Sequence, residues 1–383
     1  MWIHEHQDWP NFSWTAERLI SKLADVRHKQ GVLLGKMENL GFELKNEAGL
    51  KILTNDIVHS SAIEGELLNP DEVRSSIAQR LGIEIAGLKP VGRDVDGIVE
   101  MMLDATQRYS EPLTKERLCD WHAALFPTGR SGMKRITVGD WRPAEVGDMQ
   151  VISGPLGREK VHFEAPEAPR LDQEMTKFLE WFEREDDTDP VLRAGIAHLW
   201  FVTIHPFEDG NGRIARTLAD MVLARAEGSP ERFYSMSTQI ELKRKDYYSH
   251  LERQQRGTPE ITYWLEWFLE CLQQALATAE STLSHALDKA RLWETIYQQP
   301  PMNERQHYIL SRMLDEEFKG YMNTSKYAKL AKCSTDTALR DIKDLKERGI
   351  FEQNASGGRS TSYRLSLSTS PTNRSKSETK SLS

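Results

Sequence analysis

His205-Pro206-Phe207-Glu208-Asp209-Gly210-Asn211-Gly212-Arg213-Ile214-Ala215-Arg216 is the stretch on which both fold and chemistry turn. The text before it, from Asp189-Pro190 to Ile204, is nearly all apolar and opens with an N-cap residue followed by proline, so it reads as a buried central helix. Pro206 and Gly210 interrupt the helical period, and a second helix is expected from Asn211 to about Glu227. Its first turn presents backbone N–H groups at Gly210, Asn211 and Gly212 that have no intrahelical partner. That is an anion site. Arg213 and Arg216 lie three apart on the same turn, where the macrodipole disfavours cations, so both require an anion. Two glycines, two arginines and a helix N-terminus suit a polyphosphate better than a carboxylate. Asp209 adds a hard oxygen suited to Mg²⁺ bridging phosphates, and His205 can take a proton from a hydroxyl at neutral pH. A transition-metal pair of His205 and Asp209 is disfavoured, because no third ligand adjoins and Pro206 breaks their shared helical face.

Around this motif lie 383 residues, 39% hydrophobic and 28% charged, enough for two or three domains with real cores. Fifty Lys and Arg against 58 Asp and Glu give a net charge of −8, so any nucleic-acid contact must come from a local patch. Cys119, Cys271 and Cys333 are odd in number and far apart, which disfavours a disulfide framework or zinc site and fits a reducing cytoplasm. The N-terminus lacks a basic segment followed by an apolar run, and no stretch approaches a membrane span, so a soluble cytoplasmic protein with no membrane contact is expected. The glycines and lysine of Gly31-Val32-Leu33-Leu34-Gly35-Lys36-Met37 are misspaced for a P-loop, and Met37 stands where Ser or Thr is needed.

Trp2, Trp9, Phe12 and Trp14 anchor an N-terminal helical region. Leu50 to Ile63 reads as a helix closed by Gly65. The next helix has Asn69 as N-cap, Pro70 at its first position and Glu72 completing a capping box, and ends near Gly82. Thr114 to Phe126 is a further helix, and Gly129 to Arg142 reads as loop. Alternation at Met149, Val151, Val161 and Phe163, broken by Ser153-Gly154-Pro155 and Gly157, predicts a β-hairpin as the only sheet of the central domain. A helix from Leu171 follows, and Ile261 to Ala290 reads as one long helix or two consecutive ones, with Trp264, Trp267 and Phe268 inward. Helices over Glu304–Phe318, Ser325–Ala331 and Thr335–Gly349, then strands Ile350–Glu352 and Thr361–Arg364 around Ser356-Gly357-Gly358-Arg359, resemble a winged helix-turn-helix domain.

The motif at 205–216 matches the HPFx[DE]GNGRxxR signature of the Fic family, and the resemblance covers roughly Leu113 to Leu272. It implies a mainly α chain: a Fic-fold helical core with a small β-hairpin flap, followed by the winged helix. It also implies transfer of AMP from ATP, with Mg²⁺, to a Ser, Thr or Tyr hydroxyl of a protein, including this protein itself. His205 would be the general base and Asp209 the Mg²⁺ ligand, while Phe207 would pack inward. Gly210, Asn211 and Gly212 would cradle the α- and β-phosphates, and Arg213 and Arg216 would hold the outer ones. Val161, His162 and Phe163 are the flap candidates for nucleotide and target contact. Tyr247, Tyr248 and Gln255 resemble the adenine-side residues. Phosphate transfer, as in the Doc branch, is disfavoured because that branch lacks the second glycine, here Gly212.

Ser60-Ser61-Ala62-Ile63-Glu64-Gly65 fits the family's inhibitory motif [ST]xxxE[GN]. Glu64 would sit at a helix C-terminus, where the dipole opposes a carboxylate, and Arg216 has the opposite need. Their pairing would withhold Arg216 from the γ-phosphate, with Ser60 as the other inhibitory-motif residue. The expected domains are 1–110, carrying the inhibitory helix and a homodimer contact, 111–275 catalytic, 276–302 linker, 303–367 winged helix and 368–383 disordered tail. From Asn303 to Leu367 there are twelve Lys or Arg against nine Asp or Glu. Arg340, Lys343, Lys346 and Arg359 could meet DNA phosphates, but Asp336, Asp341, Asp344 and Glu347 share the recognition helix and oppose it, so a protein-interaction or dimer module and substrate recruitment stand beside DNA binding as roles for this domain. Two alternatives stay open. One is removal of AMP, with Glu64 aligning a water; the other is a DNA-binding regulator whose Fic core senses nucleotide.

Overall fold

Helix punctuation sets the element order. This computed structural model describes residues 1–38, 40, 42–84, 87–154, 158, 160–297, 299–314, 318, 320–354 and 361–366. The expectations for Pro155, Gly157, Ser356, Gly357, Gly358, Arg359 and the tail 368–383 lie outside the described residues. Two compact units are formed, Met1–Ser281 and Thr282–Ser383.

The first unit opens with α1 (Ala16–Glu38), α2 (Phe42–Ile63), α3 (Pro70–Leu81), α4 (Arg93–Gln107) and α5 (Lys115–Leu125). Two hairpins follow, β1 (Arg130–Ser131) with β2 (Lys134–Arg135) and β3 (Gln150–Ser153) with β4 (Lys160–Glu164). Then come α6 (Leu171–Glu183), α7 (Pro190–Ile204), α8 (Asn211–Glu227), α9 (Met236–Leu242), α10 (Arg244–Gln255) and α11 (Thr262–Tyr297), whose residues from Thr282 onward belong to the second unit. The helix expected from Leu50 starts eight residues earlier, at Phe42. Asn69 caps α3, but its side chain accepts from Asp71 N at 2.9 Å, so the expected Asn69–Glu72 capping box gives way to a tighter turn. The stretch 129–142, read as loop, holds the hairpin β1–β2, so β3–β4 is not the only sheet of this region. Strands of two residues are too short to show an alternation.

At the centre lies the α7–α8 pair. Asp189 accepts from Val191 N at 2.8 Å and starts α7, whose residues from Val191 to Ile204 are buried apart from Arg193. Trp264, Leu265 and Phe268 of α11 are also buried, and the Trp264 indole donates to Gly195 O of α7 at 2.8 Å. The N-terminal tryptophans brace this core: Trp9 and Phe12 lie edge-on to Trp200, and Trp9 Nε1 donates to Glu174 at 2.8 Å. α2 packs on α3 and α9 and reaches α8 with its last turn.

The second unit contains α12 (Glu304–Met313), α13 (Thr324–Leu330), α14 (Thr335–Glu347), β5 (Phe351–Gln353) and β6 (Tyr363–Leu365), with a bridge from Met322 to Tyr363. α12 stops at Met313, well short of the expected Phe318. Ile309, Leu310, Tyr327, Ala338, Ile342 and Leu345 build its core. Two acids of α14 are paired with arginines: the buried Asp341 meets Arg305 at 2.9 Å, and the part-exposed Asp344 meets Arg348 at 2.8 Å. Arg340, Lys343 and Lys346 are left exposed.

Candidate active site

α7 ends at His205, which takes φ +53° and ψ +57°, a left-handed conformation that turns the chain abruptly out of the helix. The ring is half-buried, and its Nδ1–H donates to Val202 O at 3.2 Å. A carbonyl can only accept, so this contact fixes the tautomer and leaves Nε2 as the free acceptor. Burial lowers the imidazole to about 4, so it is neutral at pH 7.

The loop that follows is held from inside. Phe207 is fully buried and stacks on His122 at 4.1 Å with rings 4° from parallel. Asn211 Oδ1 accepts from Phe207 N at 3.0 Å and its Nδ2 donates to Phe207 O at 2.8 Å. The Asn211 side chain therefore closes the loop rather than reaching a phosphate, and only its backbone N–H is left for that task. The first intrahelical bond of α8 runs from Ile214 N to Gly210 O, so the N–H groups of Asn211, Gly212 and Arg213 precede the ladder. Asp209 accepts from Gly210 N at 2.6 Å through Oδ1 and from the Ser131 hydroxyl through Oδ2.

The last turn of α2 covers these groups. Arg216, 2% exposed, donates from Nε to the Ser60 hydroxyl at 3.0 Å, and from one terminal nitrogen to Ser60 O at 2.9 Å and Glu64 Oε1 at 2.8 Å. Burial opposes its charge, but the Glu64 carboxylate raises its pKa. Glu64 Oε2 accepts from the Tyr248 hydroxyl at 3.2 Å. Arg213 is also taken, by Glu66 at 2.6 Å, a pairing that no sequence pattern marks. Arg213 Nε and Arg216 Nη1 are buried with no hydrogen-bond partner among the described residues, two donors left unsatisfied on the first turns of α8. Among the described residues no cluster of His, Cys, Asp or Glu could hold a metal by itself. A lone carboxylate beside a phosphate-binding turn fits Mg²⁺ only when phosphate oxygens complete its shell, with Asp209 as the protein ligand.

Of the remaining candidates, His162 is the extra residue of a β-bulge, since Val151 pairs with Phe163 and Ile152 with Val161. The bulge turns its ring to Glu252 at 2.7 Å and Ser153 at 2.6 Å. Val161 O accepts from Arg256 at 2.7 Å. Phe163, expected to meet nucleotide and target, is instead 1% exposed against Trp2 and His4, because β4 turns alternate residues inward. Tyr247, 1% exposed, has its hydroxyl 2.9 Å from His198 Nε2, and Gln255 is buried beside Thr203. Adjacent residues on a helix point about 100° apart, and only Tyr248 faces the cleft. Arg142, which no pattern singled out, donates to His205 O at 2.9 Å and to Pro166 O.

Residues 112–223 match the family model described as Fic/DOC family. This chain carries a Fic domain. Residues 2–83 match a second model, described as a domain of unknown function (DUF4172). The chain is 30% identical over 199 residues to protein adenylyltransferase fic-1 of Caenorhabditis elegans, covering 51% of this chain and 35% of that one. It is 25% identical over 264 residues to protein adenylyltransferase Fic of Culex quinquefasciatus, covering 62% and 45%. It thus spans less than half the length of these relatives. The crystal structure of a Fic family protein from Desulfovibrio desulfuricans has the same fold, with a TM-score of 0.51 at 21% identity over 91% of this chain and 95% of that one. A Fic domain protein from Bacteroides thetaiotaomicron likewise gives 0.51 at 19% identity, over 68% and 98%. Among the described residues no helix is long and apolar enough to cross a membrane.

Proposed function

We propose that the chain is a protein adenylyltransferase that moves AMP from ATP to a Ser, Thr or Tyr hydroxyl and is held inactive by its own α2. The observation that carries this reading is the Glu64 carboxylate resting against both Arg216 and Gly212, a negative charge in the place the loop prepares for phosphate. The printed names of the relatives support AMP as the group moved.

In the reaction, the target hydroxyl oxygen attacks the α-phosphorus in line, a P–O bond forms, the bond to the β-phosphate breaks and pyrophosphate leaves. The hydroxyl proton passes to His205 Nε2, which the Val202 contact keeps free. Backbone N–H groups of Asn211 and Gly212 hold the inner phosphates, and Arg213 and Arg216 hold the outer ones. Mg²⁺, bound by phosphate oxygens and Asp209, would offset the charge on departing pyrophosphate. Among the described residues the hairpin β3–β4 pairs with no third strand, so an extended target segment can add to it as a strand. Glu66 on Arg213 adds a second restraint to that of Glu64 on Arg216.

The test is transfer of label from α-labelled ATP, beside GTP, UTP and CTP, to the protein itself and to a lysate. Wild type, Glu64→Gly and His205→Ala are compared. Strong label from ATP in Glu64→Gly, weak label in wild type and none in His205→Ala is the expected result. No label from any donor in any variant would sink the reading.

A further inference from the structure

Arg142 is a buried cation without an ion-pair partner among the described residues. It is 2% exposed, burial lowers its pKa to about 10, and its contacts are carbonyls. A guanidinium kept dry without a carboxylate is costly, so its geometry must serve a purpose. Its Nε donates to His205 O at 2.9 Å, a terminal nitrogen donates to Pro166 O, and its backbone N–H donates to Pro206 O at 2.9 Å. His205 O and Pro206 O are consecutive carbonyls just after the abrupt turn at the catalytic histidine. The His205 O contact fixes the peptide plane after His205, as His205 N donating to Phe201 O at 3.0 Å fixes the one before it, so the two together hold its left-handed backbone, which a residue with a Cβ rarely adopts. Pro166 lies two residues beyond β4, and Ala165 N donates to Met149 O at the base of the same hairpin at 2.9 Å. One side chain thus ties the backbone of the base to the root of the strand pair that would present the substrate.

We infer that Arg142 is a positioning residue for the transfer reaction, setting His205 Nε2 against the hydroxyl held at the β3–β4 hairpin. The inference rests on His205 acting as the base. Arg142 touches neither nucleotide nor target in this role; it acts through the histidine backbone. Its charge has a second effect on the ring, which Asp209 and Glu64 also face: Arg142 favours the neutral imidazole, and the two carboxylates favour the charged one.

The test uses the full chain carrying Glu64→Gly, with Arg142→Gln and Arg142→Lys added singly. Arg142→Gln is expected to lower kcat about 10- to 100-fold with little change in the KM for ATP, because misplacing a reacting group costs rate more than binding. Arg142→Lys, which keeps the charge and can reach one of the two side-chain-bound carbonyls, recovers part of that loss. In parallel, the His205 imidazole is titrated by NMR in wild type and Arg142→Gln, its signal identified by its absence in His205→Ala. Its midpoint moves upward when the arginine is lost. Thermal melts show whether Arg142→Gln folds; if it does not, the lysine variant and its split between kcat and KM decide. Unchanged kcat in a folded variant, or an unmoved midpoint, overturns the inference. Absence of transfer in Glu64→Gly itself overturns the transferase reading instead, and the titration still decides the role of Arg142.

Discussion

The Glu64 carboxylate lies so close over Gly212 that a Cβ built on the glycine would come within 2.2 Å of Oε1. The same oxygen is 2.8 Å from Arg216. The restraint is therefore steric as well as electrostatic: it fills the concavity of the loop with an acid that already satisfies the arginine.

This separates two ways of removing Glu64 from the loop. Gly212→Ala pushes the flexible carboxylate aside, but its methyl group takes the space a phosphate needs. Its expected phenotype is loss of the restraint with no gain of transfer, whereas Glu64→Gly gains it. Retention of labelled ATP on the two variants is the measurement, and ATP bound as tightly by Gly212→Ala as by Glu64→Gly would refute the steric account.

Glu66 should act as a weaker second restraint. Its side chain is 41% exposed, so its pair with buried Arg213 is worth about 1 kcal/mol or less. Adding Glu66→Gln to Glu64→Gly is expected to lower the KM for ATP about two- to fivefold, while Glu66→Gln alone leaves Arg216 blocked and transfer near background. Steady-state kinetics with α-labelled ATP decide this.

The pH dependence of transfer should be flat where a histidine base would ordinarily titrate. Burial foremost, with the Arg142 charge, holds His205 at about 4, against the opposing pull of Val202 O, Asp209 and Glu64. In Glu64→Gly one of those opposing carboxylates is gone, which moves the midpoint lower still. The kcat of that variant is expected to be level from about pH 5.5 to 8. An acid limb centred near the ordinary histidine pKa would contradict the burial of the ring.

Acid should weaken the fold itself. Burial brings His122 to about 4 and His198 to about 3. The unfolded chain titrates these rings near 6.5 and so binds more protons than the folded one below that pH. Their contribution to stability is full above about pH 6.5 and is lost as pH falls toward 4 and 3. Thermal melts at pH 7 and 4.5 should show a lower Tm in acid. His122→Phe, which keeps the stack on Phe207, should start lower because Gly139 N loses its acceptor, yet lose less on acidification.

What the sequence revealed followed from strong local signals. The Asp189-Pro190 start of α7, the bounds of α8 and the meeting of Glu64 with Arg216 each rest on residue types that few other arrangements satisfy. What it concealed had no such signal. Arg142 binds carbonyls, which every residue possesses, so nothing in the text marks its partners. Glu66 looks like any exposed acid after a helix. Tyr247 and Tyr248 read alike, and only the packing of α10 against His198 and Trp267 shows which one is core. Phe163 was misplaced because its partners, Trp2 and His4, are 161 and 159 positions away in sequence.

Glu64 and Glu66 stand on either side of Gly65, which takes φ +87° just past the end of α2. Both arginines are therefore occupied by one three-residue tip rather than by two independent elements. A partner that lifts this tip frees both cations in the same event, so release is a single equilibrium between a shut and an open form. Activity plotted against the concentration of such a partner should rise as one simple saturation curve, with no plateau at half-relief.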